Sequence, residues 1–397
     1  MEGVCPIDQR FASEISALVT PPSPLQVQEY FDELLSTRQC CSMKVKQNGE
    51  FGKCVYAESN FTEGQLVLKD QFQQSSNKID CLVCSFCFRF IGYIELQIGR
   101  KLYLQELGVS KGCCGTDSFD EEEDSFVENG DSSNPCASSS ANDRVSLLRE
   151  MVESLMNGGL QLSYSYKFSL PPAIPCPGGC GEAYYCNKLC AEADWEMFDS
   201  LLCTGERSES LSKEALLEFI KHANETNDIF LLAAKAISFT ILRYRKLKAT
   251  QLGKKDKTPN VSRCTDLSLL FEAWKPISMG HKRRWWDCIA LPVDVKSFDE
   301  AAFRRQIKAL AFTSLQLLKA AIFDKECEPL FSLNIYGHLI GMFELNNLDL
   351  VVASPVEDYF LYIDDLPYPQ KDRDDQATII ALKPICKGEE VVYLDNL

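Results

Sequence analysis

Several features that would assign a protein class are missing from this chain. No apolar run approaches the ~18 residues that a membrane-spanning helix needs, so we expect no membrane span. The opening residues, MEGVCPIDQRFASEI, have no basic stretch followed by an apolar one, and we expect no secretory leader. Histidine is scarce, with 3 among 397 residues. No segment recurs at intervals of ~20–50 residues, which argues against a solenoid or propeller.

Basic residues are absent from one acidic stretch. Residues 112–143 hold nine Asp or Glu and no Lys or Arg, and without them the formal net charge falls from −16 to −7. The rest of the chain is therefore only mildly acidic, and its charge does not exclude basic partners. Residues 108–160 are rich in Asp, Glu, Ser and Asn. Such a composition buries too little apolar surface to offset its ordering entropy, so we expect most of this segment to be disordered.

Apolar periodicity outlines the secondary structure. It predicts helices over residues 11–38, 211–249 and 301–325. A small β-meander is predicted over residues 44–70. After Phe331 the pattern predicts short strands, at 350–352 and 359–363, and then a tail of strand, turn at Lys387-Gly388, and strand.

Cysteine, in contrast to histidine, is abundant, with 19 residues. Without a secretory leader this number favours metal-bound thiolates in a reducing compartment over disulfides. Two runs carry the pattern, CLVCSFC at 81–87 and CPGGCGEAYYCNKLCAEADWEMFDSLLC at 176–203. Tight turns such as CPGGC bring two thiolates to one ion, and the i, i+4 spacing of Cys186 and Cys190 places both on one helix face.

Two tetrahedral zinc sites need eight ligands. The ligands we predict are Cys84, Cys87, Cys176, Cys180, Cys186, Cys190, Asp199 and Cys203. Asp199 completes the set because it precedes Cys203 by one helical turn and all three histidines lie outside this region; Cys81 is an alternate ligand. Buried structural thiols have no reason to follow these spacings, and a RING-type ubiquitin-ligase module normally has a Cys-x-His step that is absent here.

The second cysteine run resembles the MYND zinc finger. Tyr185-Cys186, Cys190, Trp195 and Cys203 match that family's second half, with Asp199 where a histidine is usual. Nearly ninety residues separate the first cysteines from this half, an unusual insertion. The resemblance implies that the finger recruits proline-containing peptides, such as those of transcription factors.

Segments on both sides of the finger are similar to parts of SET domains. They are FGKCVYA at 51–57, NFTEGQLVL at 60–68 and ALKPICKGEEV at 381–391. With the finger between them, the chain resembles the SET/MYND protein-lysine methyltransferases, and among these the plant trithorax-related histone-lysine methyltransferases. The implied fold class is α+β: a split, incomplete, β-rich SET domain with an inserted MYND-type zinc finger and a helical insert. The implied segments are an N-terminal helical segment (1–43), the first part of the SET domain (44–80), the interrupted finger (81–203), the helical insert (204–330) and the truncated C-terminal part of the SET domain (331–397).

The same resemblance implies a reaction and a site. S-adenosylmethionine would donate a methyl group to the lysine amine of a histone or another protein. The implied location is the nucleus, with the cytoplasm as a second location. Gly52, Lys53, Cys54 and Asn346 match cofactor-binding positions, and Tyr393 matches the catalytic tyrosine of the family's Tyr-x-Asp motif. Cys54 replaces the second glycine of a Gly-x-Gly turn, and it is strained if that position requires a positive φ.

One family segment has no counterpart here. Between the helical insert and the last strands we find no Asn-His-Ser-Cys stretch, and no post-SET cysteines follow Leu397. We therefore expect weak or no binding of S-adenosylmethionine, as in a truncated isoform or an incorrect gene model. The alternative function is a catalytically inert, zinc-dependent adaptor that acts through its finger in chromatin or transcription.

A basic and aromatic stretch at 281–286 raises the question of nucleic-acid binding. We expect Trp285 and Trp286 to pack beneath a solvated basic edge, with no direct sequence-specific contact to nucleic acid.

Overall fold

In a computed structural model of the chain, the described residues are 5–38, 40, 42–48, 52–71, 81–107, 140–255, 266–280, 282–292, 299–346, 354–366 and 376–392. The helices within them are α1 (Pro6–Arg10), α2 (Ala12–Val19), α3 (Pro24–Thr37), α4 (Ile94–Glu106), α5 (Ser140–Asn157), α6 (Lys188–Asp194), α7 (Ser200–Leu202), α8 (Lys213–Thr226), α9 (Ile229–Lys255), α10 (Asp266–Ser278), α11 (Trp285–Cys288), α12 (Glu300–Ile322), α13 (Leu333–Asn346) and α14 (Pro355–Ile363). The strands are β1 (Met43–Asn48), β2 (Gly52–Ala57), β3 (Leu66–Gln71), β4 (Ile174–Pro175), β5 (Tyr184–Tyr185) and β6 (Gln376–Ile380). This mostly helical chain with small sheets agrees with the α+β class.

Strands from the N-terminal and C-terminal parts of the chain pair with each other. β1 and β2 form an antiparallel pair, and β3 pairs antiparallel with β6, with Leu66 opposite Ile380. The predicted meander over 44–70 is therefore wrong in its last step, because β3 takes a partner from the far end of the chain instead of β2. Periodicity along one segment carries no information about so distant a partner.

The described part of the tail, after β6, also forms backbone hydrogen bonds with the N-terminal β segments. Phe61 exchanges backbone hydrogen bonds with Ile385, and the Val391 N–H donates to the carbonyl oxygen of Val55 at 2.8 Å. Gly388 has φ +90°, a conformation that glycine adopts without strain, and this confirms the predicted turn at Lys387-Gly388. Strands β1 to β3 and the described tail share one small apolar cluster, whose buried members are Met43, Ala57, Phe61, Val67 and Ala381.

A second, much larger apolar core is helical. Helices α8 to α13 bury one continuous cluster, and α1 and α2 add residues to it. Trp274 is 1% exposed and donates its indole N–H to the carbonyl oxygen of Leu18 at 2.9 Å, which ties α10 to α2. The hydroxyls of Ser314 and Tyr336 lie 2.8 Å apart and join α12 to α13. The helices predicted over 11–38, 211–249 and 301–325 are confirmed, with a break at the prolines before α3.

The short strands predicted after Phe331 are wrong where the structure describes the chain. Residues 333–346 form α13, and the predicted strand at 359–363 lies in α14, whose first turn is capped by Ser354. Most of α13 is buried, so apolar residues occupy every face and the 3.6-residue period is hidden. Residues 350–352 lie outside the described residues.

The disorder predicted for 108–160 is wrong for its last third. Helix α5 covers Ser140–Asn157 and packs along α4, with Val152 3% and Leu155 5% exposed. A Cβ at Gly99 would lie 3.0 Å from Leu155 Cβ, so the two helices approach closely at this glycine. A composition averaged over the acidic stretch concealed this short apolar stripe. Residues 108–139 lie outside the described residues.

Within the described part of the chain, no helix combines the length and the apolarity that crossing a membrane would require.

Candidate metal centres and the predicted cofactor turn

Four cysteines form the first cluster. The Sγ atoms of Cys84, Cys87, Cys186 and Cys190 all lie within 4.8 Å of one another. Cys186 Sγ is 3.6 Å from Cys87 Sγ and 3.5 Å from Cys190 Sγ. A tetrahedral zinc ion with Zn–S bonds of ~2.3 Å separates neighbouring sulfurs by ~3.8 Å. The cluster therefore has the donor atoms and the spacing of a closed, four-thiolate structural site.

Gln97 holds the first cysteine pair in place. Its buried side-chain amide accepts from the Leu82 N–H at 2.9 Å and donates to the carbonyl oxygens of Leu82 and Ile91. These bonds fasten the loop that carries Cys84 and Cys87 to helix α4. We had not identified Gln97 from the sequence, since a glutamine on a helix carries no signal of this role.

The second cysteine pair is set by the start of α6. Asn187 caps this helix, and its side-chain oxygen accepts from the Cys190 N–H at 2.8 Å. Its amide nitrogen donates to Cys186 Sγ at 3.2 Å, so one side chain orients both ligands. The prediction that both cysteines lie on one helix face is therefore wrong for Cys186, which precedes the cap of α6; the cap and the first turn of the helix bring the two sulfurs together instead.

Three cysteines form the second cluster. The Sγ atoms of Cys176, Cys180 and Cys203 lie within 4.8 Å of one another, with 3.7 Å between those of Cys176 and Cys203. Each sulfur accepts a backbone N–H, from Gly178, Ala183 and Gly205 respectively, at 3.2–3.4 Å. Such donors stabilise bound thiolates, as second-shell partners do in metal sites.

Asp199 adjoins the second cluster. It ends a π-helical turn (Trp195–Asp199) between α6 and α7, and its Oδ2 lies 3.3 Å from Cys176 Sγ. A zinc ion bound by one sulfur and one carboxylate oxygen would separate them by ~3.5 Å, so this edge fits a metal site. The Tyr185 hydroxyl donates to Asp194 Oδ2 at 2.8 Å. It also lies 3.4 Å from Asp199 Oδ2 and thereby helps to orient the Asp199 carboxylate.

The electrostatics of both clusters favour a bound cation. Burial raises the pKa of the thiols of Cys176, Cys190 and Cys203, because the charged thiolate is poorly solvated there. A hydrogen bond from Cys87 lowers the pKa of the Cys84 thiol. Several thiolates this close together repel one another, and a divalent ion removes that repulsion. Cys81 lies outside both groups and packs beside Val83 and Phe90.

The predicted cofactor turn lies at the start of β2. Gly52 has φ +79° and is exposed, and a Cβ built on it would meet no atom within 4 Å. Cys54 is a regular strand residue opposite Lys46 and does not have a positive φ, so its replacement of glycine causes no backbone strain. A hydrogen bond to the Glu390 carboxylate raises the pKa of its thiol.

Asn346, the other predicted cofactor residue, lies at the end of α13. Its side-chain amide donates to the carbonyl oxygen of Met342. Gly280 packs on Met342, and the Lys282 ammonium donates to the Gly280 carbonyl at 3.1 Å. The charge of Lys53 also contributes to lowering the pKa of Lys282. Tyr393 lies outside the described residues.

The chain is similar to a curated plant protein. It is 61% identical, over 382 residues, to the protein described as Histone-lysine N-methyltransferase ATXR2 from Arabidopsis thaliana. The match covers 95% of this chain and 79% of that relative. No protein-family model matches the chain, and no solved structure matches it.

Proposed function

The chain belongs to the family of histone-lysine N-methyltransferases, and from this premise we propose that it transfers a methyl group from S-adenosylmethionine to a lysine amine of a histone or another protein. The observation that carries the proposal is the 61% identity, which extends over 95% of the chain. A histone substrate implies a nuclear location, and we propose the nucleus, with the cytoplasm as a second location.

The open turn at the start of β2 supports a cofactor site. S-adenosylmethionine, when bound, supplies an electrophilic methyl group on a sulfonium. Gly52 lets the backbone approach such a ligand closely, since no atom lies within 4 Å of the position a Cβ would take. We propose that Gly52, Lys53 and Cys54 line this site and that Asn346 adds a polar contact from α13.

The reaction also needs a neutral amine. A free lysine titrates near ~10.4, so the protein must desolvate the acceptor before it can act as a nucleophile. We propose that Tyr393, from the Tyr-x-Asp motif of the family, orients this amine.

The two clusters are proposed to hold one zinc ion each. Cys84, Cys87, Cys186 and Cys190 would complete the first site. Cys176, Cys180 and Cys203 would form the second with Asp199 as its fourth ligand, an assignment supported by the 3.3 Å between Asp199 Oδ2 and Cys176 Sγ. Zinc has no redox chemistry, and with Asp199 as fourth ligand of the second site neither site would keep an open position, so we assign the ions a structural role. The three thiols of the second group lie within 4.8 Å of one another without Asp199, which would have to move closer on metal binding.

We propose that the β unit at the chain ends is the SET portion, divided into residues 44–80 and 331–397. The pairing of β3 with β6 supports this, as it unites pieces that the finger (81–203) and the helical insert (204–330) separate. Helix α13, however, packs inside the helical core, so the C-terminal portion contributes to both units.

A second candidate function is supported by a different observation. The finger presents exposed apolar side chains beside its metal ligands, with Leu189 76% and Met197 37% exposed. An apolar surface on a rigid module suits a proline-containing peptide. Because the sequence has no Asn-His-Ser-Cys stretch, a catalytically inert adaptor that binds transcription-factor peptides is the alternative.

One experiment separates the two functions. The purified chain is incubated with tritiated S-adenosylmethionine and core histones, alongside Tyr393→Phe, and peptide binding is measured on the same preparations. Label that appears on a histone and is lost in the variant supports the enzyme. Peptide binding without label in either protein would refute methyl transfer and support the adaptor.

A further inference from the structure

A cleft lined by polar and charged residues lies beside α11 and α13, away from both cysteine clusters. Its volume is about 430 Å³, and its lining residues are Lys282, Arg283, Arg284, Asp287, Asn334 and His338. Trp285 and Trp286 are 1% and 7% exposed beneath this edge, which confirms their predicted packing. The buried rings anchor the segment that carries the cations, so the charges are held in place by a packed core.

The charges that line the cleft do not cancel. Asp287 pairs with Arg284 at 2.6 Å and neutralises it. Within the described part of the chain, neither Lys282 nor Arg283 forms an ion pair with a carboxylate. The charge of Lys53, in β2, also acts on Lys282. Among the described residues, the cleft therefore has two lining cations, Lys282 and Arg283, that no carboxylate neutralises.

The surroundings of Lys282 disfavour its charged form. Its ammonium is partly buried and donates to the carbonyl oxygen of Gly280 at 3.1 Å. Burial, together with the charge of Lys53, lowers the pKa of Lys282 to about 7. A buried cation without an anionic partner is destabilising, and a bound anion would reverse the effect.

His338 and Asn334 also line the cleft, and His338 becomes a donor at Nε2 only when its ring is protonated. His338 Nδ1 lies 2.7 Å from the carbonyl oxygen of Asn334, so Nδ1 carries the proton and Nε2 is the ring nitrogen left for a ligand. Burial lowers the pKa of His338, with smaller effects of Arg284 and Lys282. Proton uptake by His338 would therefore be favoured when an anion binds. Asn334 also lines the cleft and brings a side-chain amide.

We propose that this cleft is a binding site for a phosphate monoester. A phosphate monoester carries about −1.5 to −2 charges at pH 7, and its three oxygens accept several charge-assisted hydrogen bonds. Arg283 and Lys282 would balance this charge, because a bound anion favours the protonated form of Lys282. Nucleic acid is disfavoured, because a backbone would need a row of free cations. The basic end of α9 does not extend the cleft, since Arg243, Arg245, Lys246 and Lys248 all pair with acidic side chains.

The test is calorimetric titration of the full chain with inorganic phosphate and with a short phosphoserine peptide, at constant ionic strength. The variants are Lys282→Met and Arg283→Gln. Lys221→Met, on the exposed face of α8, removes the same charge elsewhere and is the matched control. A charge-assisted hydrogen bond corresponds to about a tenfold or larger change in affinity, so each cleft variant should bind at least ~10-fold more weakly and the control should bind as the wild type does.

The two phosphate sources are distinguished by the same titrations. Tighter binding of the phosphopeptide than of phosphate indicates a phosphorylated protein segment, and equal binding indicates a free phosphate compound; both support the site. Absence of phosphate binding, equal binding by the cleft variants, or displacement of phosphate by S-adenosylhomocysteine would overturn the proposal. None of these outcomes depends on methyl-transfer activity.

Discussion

Replacement of one ligand in the first cysteine cluster gives the sharpest test of the metal centres. Cys186 is 7% exposed, and its Sγ lies 3.6 Å and 3.5 Å from those of Cys87 and Cys190. In Cys186→Ser the first site loses a soft thiolate, and we expect the bound zinc to fall from about two ions per chain to about one.

The expected loss of stability follows from how few apolar side chains are buried around the proposed zinc sites. The buried cluster at the finger has eight members, of which four are cysteines (Cys84, Cys176, Cys186, Cys203); the others are Leu82, Ile91, Tyr185 and Ala191. Fully burying a large apolar side chain contributes about 1.5–3 kcal/mol, so these four supply at most ~10 kcal/mol before ordering entropy is subtracted. Structural zinc contributes ~10–16 kcal/mol in zinc-finger peptides. Losing one ion should therefore unfold the first half of the finger.

The assay is metal analysis of reduced protein, followed by thermal unfolding. Cys386→Ser is the matched control, because Cys386 is exposed and lies outside both clusters. We expect the control to retain two zinc ions and the wild-type unfolding midpoint. Two ions retained in Cys186→Ser, or no zinc in the wild type, would refute the assignment of these cysteines as ligands.

Three further predictions address stability. In Gly205→Ala the new Cβ would lie 2.1 Å from the Gly178 carbonyl oxygen and 2.6 Å from the Cys180 nitrogen, so we expect a loss of roughly 3 kcal/mol in chemical denaturation; a wild-type midpoint would contradict it. Gln97→Ala removes the side-chain partner of the Leu82 N–H and the Ile91 carbonyl, while the Leu82 carbonyl keeps the Ile91 N–H; we expect a cost of about 2–4 kcal/mol, and an unchanged midpoint would show that water replaces the amide. The pKa of Lys282 is lowered from 10.5 to about 7, so the unfolded chain binds more protons than the folded chain between these values. Stability should therefore rise with pH across that window, by at most ~1.4 kcal/mol per pH unit. The charged or titratable groups around Lys282 are Lys53, Arg283, Arg284, Asp287 and His338. If the stability of Lys282→Met depended on pH in the same way, the titration of Lys282 would not be the cause.

Prediction from sequence succeeded where a pattern is local. The helices over 213–226 and 300–322 follow from apolar residues at a 3.6-residue period on one face. It failed for α13, whose burial on nearly all sides removes the polar face that would have revealed the period. It failed again for α5, where eight acids upstream of the helix dominated the composition.

The candidate sites divide in the same way. The cysteine spacings predicted seven thiols that the structure gathers into two groups able to hold a metal, because Cys84 and Cys87, Cys176 and Cys180, and Cys186 and Cys190 are pairs whose spacing is set locally. The roles of Gln97 and Asn187 were not predictable, since each acts on groups that the fold brings to it. The cleft at Lys282 was also missed: its positive charges are notable only because no carboxylate reaches Lys282 or Arg283 among the described residues, and a sequence does not show which charges remain unpaired.

The sequence by itself determined the family resemblance, the helices with one apolar face and the cysteines able to bind metal, because these depend on residue type and short spacing. The tertiary structure alone decided that Cys84 and Cys87 share a cluster with Cys186 and Cys190, and that β3 pairs with β6. Such contacts join segments about a hundred or several hundred residues apart. Closing so long a loop costs entropy that depends only slightly on its length, so many partners are nearly equal in that cost. The choice among them falls to the complementarity of packed surfaces, which exists only in the folded chain.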